Sequence, residues 1–254
     1  MAREKKSGRR IPWRIWLALV ALALAAAGSA AAALKLRAYA LADPDFTFSR
    51  DHKDAFAVQG LVYASRAKVE RIFAADFGHS IFAVPLGERR RRLLAIDWIE
   101  DASVSRIWPD RLSVRVHERK PVAFVGFRSG VLLIDRQGVF LDPPRQANFT
   151  FPVLSGIRED ESDADRREAV RILLGFENDM GYLFKDVSEV DVSDPDNIRI
   201  VAQVNNRPVD LTMGGENFAK RYQNFVSHYP EIMKHSPDVR KFDLQLDDRI
   251  TAKE

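Results

Sequence analysis

The strongest constraint on this chain is a twenty-residue run, Ile15 to Leu34, without a single charged side chain. A helix rises about 1.5 Å per residue, so such a run covers the roughly 30 Å hydrocarbon core of a bilayer. Trp13 and Trp16 stand at its near edge, where amphipathic indoles favour the interface. Before the run come Arg3, Lys5, Lys6, Arg9, Arg10 and Arg14 against one acid, Glu4. After it, Lys35 and Arg37 are soon answered by Asp43, Asp45, Asp51 and Asp54. This bias predicts a cytoplasmic N-terminus, with the remainder of the chain on the outer side of the membrane. The alanine-rich stretch Gly28 to Ala32 also offers signal-peptidase-like sites. A signal peptide's apolar region usually spans only about 7–15 residues, so a retained anchor over 15–36 is the expectation.

The composition removes whole classes of function. There is no cysteine, hence no thiol nucleophile, zinc–thiolate site or disulfide framework. The net charge of +3 owes much to the basic tail, residues 1–14. The rest is nearly balanced and lacks the electrostatic footprint of a nucleic-acid binder.

After a polar juncture, residues 37–54, the chain predicts a first unit over 55–119. An extended piece, Ala55 to Val58, ends at Gly60. Ser65 is placed to cap a helix in which Val69, Ile72, Phe73 and Phe77 share one face, with Gly78 suited to its C′ position. A second helix follows Pro85, burying Leu86, Leu93 and Leu94 and turning Arg89 to Arg92 to solvent. Two strands come next. Ile99 to Ile107 leads through Trp108-Pro109-Asp110 into Leu112 to Glu118, where Leu112, Val114 and Val116 alternate inward. The order is β-α-α-β-β.

A second unit over 120–254 is richer in strands. Pro121 to Phe127, Val131 to Asp135 and Val139 to Leu141 are short ones. Ser162 opens a helix closed by Gly181, with Ala169, Ile172, Leu173, Phe176 and Met180 on one face. Ile198 to Val204 and Val209 to Met213 alternate on either side of Asn205-Asn206. A last helix carries Phe218, Tyr222, Phe225 and Tyr229 and ends near Pro230. Val239 to Asp247 is then the closing strand. The fold class is α+β: one transmembrane helix, a small α/β module, and a curved, mainly antiparallel sheet with two helices laid on it.

No catalytic constellation assembles. His117-Glu118 lacks the second histidine of a zincin helix, and Gly126 to Gly130 places its serine one position late for a nucleophile elbow. No phosphate-binding glycine loop is present. Asp97, Glu100 and Asp101 sit where capping explains carboxylates. The run Glu88 to Arg92 reads as a solvated helix face or as a contact for anionic lipid or an acidic partner. The expectation is therefore no enzyme, no cofactor, no metal, no nucleic acid and no small-molecule substrate.

Certain stretches carry more than a class. Val58-Gln59-Gly60, Ser65 to Phe77 and Gly78-His79-Ser80-Ile81-Phe82 resemble the opening of a POTRA domain, a β-α-α-β-β module of bacterial envelope proteins. Ile96 to Val104, Arg106-Ile107-Trp108-Pro109, Leu112 to Ala123 and Leu133 to Gly138 resemble the FtsQ/DivIB cell-division family. Lys241 to Leu246 is similar to that family's closing strand, with Gln245 where arginine is usual. The resemblance implies a bitopic scaffold of the divisome in the inner membrane, its bulk periplasmic and at the septum. It would recruit FtsB-like and FtsL-like bitopic proteins and link them to septal peptidoglycan synthesis. By matched position it implies partner contacts at Phe242, Leu244, Leu246, Asp247 and Asp248, on the free edge of the last strands. A POTRA-bearing envelope assembly or secretion factor is the alternative. Such proteins usually continue into a β-barrel, and the alternating strands of one are missing here.

Overall fold

The computed structural model describes residues 13–50, 52, 54–144, 147–247 and 249–253. The basic tail over 1–12, which carries most of the orientation argument, lies outside the described residues. So do Asp51 and Asp248.

The first helix, α1, runs from Trp13 to Ala42. Its Ile15–Ala42 stretch is long and apolar enough to cross a membrane. It therefore continues past the expected end at residue 36, carrying Lys35 and Arg37 on a rigid extension. The rest forms two compact units, one made of residues up to Ile96 with Asp101–His117, the other of Asp97–Glu100 with Glu118 onward.

In the first unit the elements are β1 (Phe56–Gln59), α2 (Arg66–Ile72), α3 (Leu86–Leu94), β2 (Ile99–Ile107) and β3 (Arg111–Glu118). The sheet order is β1-β3-β2, with β1 parallel to β3 so that Phe56 faces Leu112 and Val58 faces Val114. Leu112, Val114 and Val116 are buried, as their alternation predicts. Ser65 caps α2, its hydroxyl accepting from the Lys68 N–H at 3.4 Å. Three expectations are corrected here. The helix stops at Ile72, not near Phe77, and Gly78, at φ +84°, donates its N–H to the Phe48 carbonyl at 2.8 Å instead of capping it. Unwinding lets Phe73 and Phe77 close on Phe56 and Phe48, at ring centroid distances of 4.9 and 4.2 Å. It also turns Asp76 inward. Arg89 does not face solvent: its Nε and Nη2 donate to the two Asp76 carboxylate oxygens at 2.6 and 2.8 Å, and both side chains are buried. The hydrogen bond that Arg89 donates to Asp76 raises the Arg89 pKa further, against the effect of burial. Nor is Asp101 a cap, since it accepts from Arg90 at 2.6 Å.

The second unit holds β4 (Pro121–Phe127), β5 (Gly130–Asp135), β6 (Phe140–Leu141), β7 (Val153–Ser155), α4 (Asp163–Met180), β8 (Val187–Asp191), β9 (Ile198–Val204), β10 (Arg207–Gly214), α5 (Phe218–His235), β11 (Lys241–Leu246) and β12 (Arg249–Lys253). They form one sheet in the order β12-β11-β10-β9-β8-β7-β4-β5-β6. Five neighbouring pairs are antiparallel. The β7–β8 and β10–β11 pairs are parallel because α4 and α5 serve as crossovers, and β4–β7 is parallel too. The buried faces of both helices share one core with the sheet, from Val170, Leu173 and Phe176 to Tyr222, Phe225 and Tyr229. Asn205 and Asn206 both take positive φ, as a two-residue hairpin requires.

Two boundaries differ from expectation. The α5 helix continues through Pro230 to His235. Proline removes an N–H that would meet the carbonyl of Val226, which is partly exposed, while Ile232 and Met233 beyond it still pack on the core. And Val239 to Asp247 is not the last strand. The chain turns after Leu246, and β12 adds on antiparallel to β11.

The motif around Asp135 proves structural. This fully buried carboxylate accepts the N–H groups of Gln137 and Val139 at 2.9 and 2.8 Å, shaping the turn between β5 and β6. Arg119 neutralises it at 2.8 Å.

Candidate partner-binding edge

The matched positions lie where the sheet ends, on β11 and the turn into β12. Period-two alternation sends Phe242 and Leu244 to the helix-covered face, where they are 1% and 2% exposed. The Phe242 ring packs on Phe225 at 4.9 Å and on Tyr229 at 6.3 Å. Leu246, two residues on, is 57% exposed. Gln245 donates to Asn197 at 2.8 Å, so the amide where the family usually has arginine is engaged within the chain.

Asp247 is engaged as well. Its carboxylate accepts from Arg221 Nε at 2.8 Å and from Lys220 Nζ at 2.9 Å. Arg221 is buried in α5 and also donates to the Met213 carbonyl at 2.7 Å. A Cβ at Gly214 would come within 2.7 Å of that guanidinium, and glycine there also permits φ +75°. Asp247 thus ties the end of β11 to α5 and β10. Asp243, on the opposite face, accepts from Lys253 at 2.8 Å across the β11–β12 pair. Asp248 lies outside the described residues.

These contacts set an acid response. Hydrogen bonds from Arg221 and then Lys220 hold the Asp247 carboxyl below its usual range. Burial pushes Asp243 up, but the Lys253 side chain and the Gln245 N–H outweigh it and leave the carboxyl depressed. A folded-state pKa below the unfolded value of about 3.9 stabilises the fold above that value and is lost as pH falls through the folded one. The melting temperature is expected to fall as pH drops from about 5 through the depressed folded-state values, and Asp247→Asn to flatten that fall. A variant profile parallel to wild type would remove Asp247 from the latch.

Beyond β11, β12 has one neighbour in the sheet and leaves its other side without a ladder partner among the described residues. An unpaired edge offers a row of N–H and C=O groups to an added strand. The opposite edge, β6, is only two residues long. Arg249 puts a cation at the start of β12, while Lys253 at its end is paired with Asp243. Alongside runs a cleft of about 740 Å³ whose lining includes Lys220, Asn224, Ser227, His228, Asp247 and Ile250. Sequence reasoning missed β12 itself. Its signal is faint, with Ile250 and Ala252 alternating against Arg249, Thr251 and Lys253.

The described residues thus hold a helix long and apolar enough to cross a membrane, a β-α-α-β-β unit and a mixed sheet with an open edge strand. Family models agree: POTRA domain, FtsQ-type, matches residues 54–119, and Cell division protein FtsQ/DivIB, C-terminal, matches 123–245. Cell division protein FtsQ of Koribacter versatilis is 36% identical over 189 residues, 72% of this chain and 54% of that one. FtsQ of Bordetella pertussis is 34% identical over 86 residues, 34% of this chain and 32% of its own. The chain thus spans about half of the first relative's length and about a third of the second's. The solved major extracytoplasmic domain of DivIB from Geobacillus stearothermophilus is 20% identical, over 47% of this chain and 95% of that one, with a TM-score of 0.28. The chain belongs to the FtsQ/DivIB family of cell-division proteins.

Proposed function

We propose that the chain is a non-enzymatic scaffold of the divisome. Residues 1–14 lie in the cytoplasm, 15–36 cross the inner membrane, and 37–54 lead to a POTRA domain over 55–119 and a β domain over 120–254 on the periplasmic side. The β domain recruits FtsB-like and FtsL-like bitopic proteins by strand addition and so couples them to septal peptidoglycan synthesis. The observation that carries this reading is the open β12 edge beside the cleft along α5. Arg249, at the start of that edge strand, suits an acidic group on an incoming segment. Of the matched positions, Leu246 is the side chain most available to a partner. Asp247 shapes the turn that presents it, and Phe242 and Leu244 hold the strand from beneath, with Asp248 kept as a further contact by matched position.

The test is titration of the full chain in nanodiscs with the extracytoplasmic segment of an FtsB-type protein. Leu246→Glu is expected to weaken binding by at least about tenfold, because a desolvated charge enters an apolar contact, with melting unchanged. A folded variant binding at full strength would move the interface elsewhere.

A further inference from the structure

The first unit carries an aromatic cluster that its own core does not need. The Phe46 ring meets Tyr39 at 6.3 Å, Phe82 at 5.3 Å and Trp108 at 5.1 Å, and Phe82 meets Trp108 at 6.0 Å. Such rings usually hide, yet Trp108 is 65% exposed and Tyr39 60%. Ile107, beside Trp108 at the end of β2, is 40% exposed.

Tyr39 gives the cluster its depth. If Ile15 to Leu34 fills the hydrocarbon layer, Tyr39 stands five residues, or about 7.5 Å, beyond its edge. The headgroup region, where Trp and Tyr collect, adds about 5–7.5 Å on each side of a bilayer, so Tyr39 stands at its outer margin. Two features hold the neighbouring loop at this height. The Ser80 hydroxyl donates to the Ala40 carbonyl at 2.8 Å, and Phe82 and Ala83 face Leu36, Arg37 and Ala40 across a cleft of about 540 Å³. Arg106 fixes the same loop to the strand that ends in Trp108, donating to the carbonyls of Ile81 at 2.6 Å and Val84 at 2.8 Å. Lys35 and Arg37, both exposed, follow within one turn of the end of the apolar run.

We propose that Tyr39, Phe46, Phe82 and Trp108 form a collar seated in the headgroup layer of the bilayer that α1 crosses. The collar holds the first unit against the membrane surface instead of leaving it to swing on a tether. Its occupant is lipid, because the cluster is continuous with the apolar helix and its exposed rings lie at interfacial depth.

This rests on α1 being a membrane span, and the test separates the two. The chain has no cysteine, so single spin labels can be placed on the full-length protein in phosphatidylcholine vesicles without background. Ala26→Cys reports the middle of α1. Ile107→Cys reports the collar. His117→Cys, exposed and about 20 Å along β3 from the hairpin tip, reports open solvent. The expected result is a deep label at 26 and a label at 107 several-fold less accessible to an aqueous nickel chelate than the one at 117. Brominated-lipid quenching, compared between wild type and Trp108→Phe, should show Trp108 quenched without any label present. A deep label at 26 with 107 as wet as 117 would overturn the collar alone and leave the cluster to a protein occupant. A wet label at 26 would overturn both.

Discussion

Arg89→Ala should strip most of the stability from the first unit, costing about 3–5 kcal/mol. Among the arginines of the Arg89–Arg92 run, Arg89 is the one buried, and it meets Asp76 through two parallel hydrogen bonds. Removing the guanidinium strands a carboxylate in the interior, which must either take up a proton or pull water in. A unit of this size has about 5–15 kcal/mol in hand at most, so the loss is disabling. Arg91→Ala, on the exposed face, is expected to change stability by no more than about 0.5 kcal/mol. The double variant Arg89→Met with Asp76→Leu tests the cause, since removing both charges leaves nothing unpaired and should recover most of the loss. Hydrogen exchange at the Leu112 and Val114 amides is the readout. Equal protection in Arg89→Ala and Arg91→Ala would mean that the pair contributes nothing.

The contrast between these neighbours shows where a sequence is readable. Alternation in β3, β9 and β10 names its own buried face, because burial there follows a local period of two. The caps at Ser65 and Ser162 are equally local. Arg89 is not, as its environment is decided by an aspartate thirteen residues away that turns inward only because α2 stops early. The parallel order of the sheet was hidden for a similar reason. Val153–Ser155 and Val187–Asp191 are short strands whose pairing depends on where α4 returns the chain. At the candidate site, resemblance named a stretch of chain without separating its residues. Burial divides them: Phe242 and Leu244 face the core, Leu246 faces out, and the strand at the edge is the polar β12.

That division gives Phe242→Ala a different expected phenotype from Leu246→Glu. Truncating a phenylalanine that is 1% exposed and packed on Phe225 and Tyr229 leaves a cavity, at a cost of about 3–5 kcal/mol. Phe242 is paired with Leu211 on β10 and with Ala252 on β12, so the cavity opens beneath both neighbours. The edge should then loosen before the rest of the sheet, and partner binding should fall with it. The binding loss would be indirect, tracking the melting temperature and recovering when an excluded osmolyte restores the fold. Leu246→Glu removes a contact surface from a folded domain, so its loss should persist under the same conditions. Thermal melting and partner titration of both variants, each with and without osmolyte, distinguish the mechanisms. If Phe242→Ala lost binding while melting as wild type, the ring would touch the partner directly and its burial beneath α5 would be wrong.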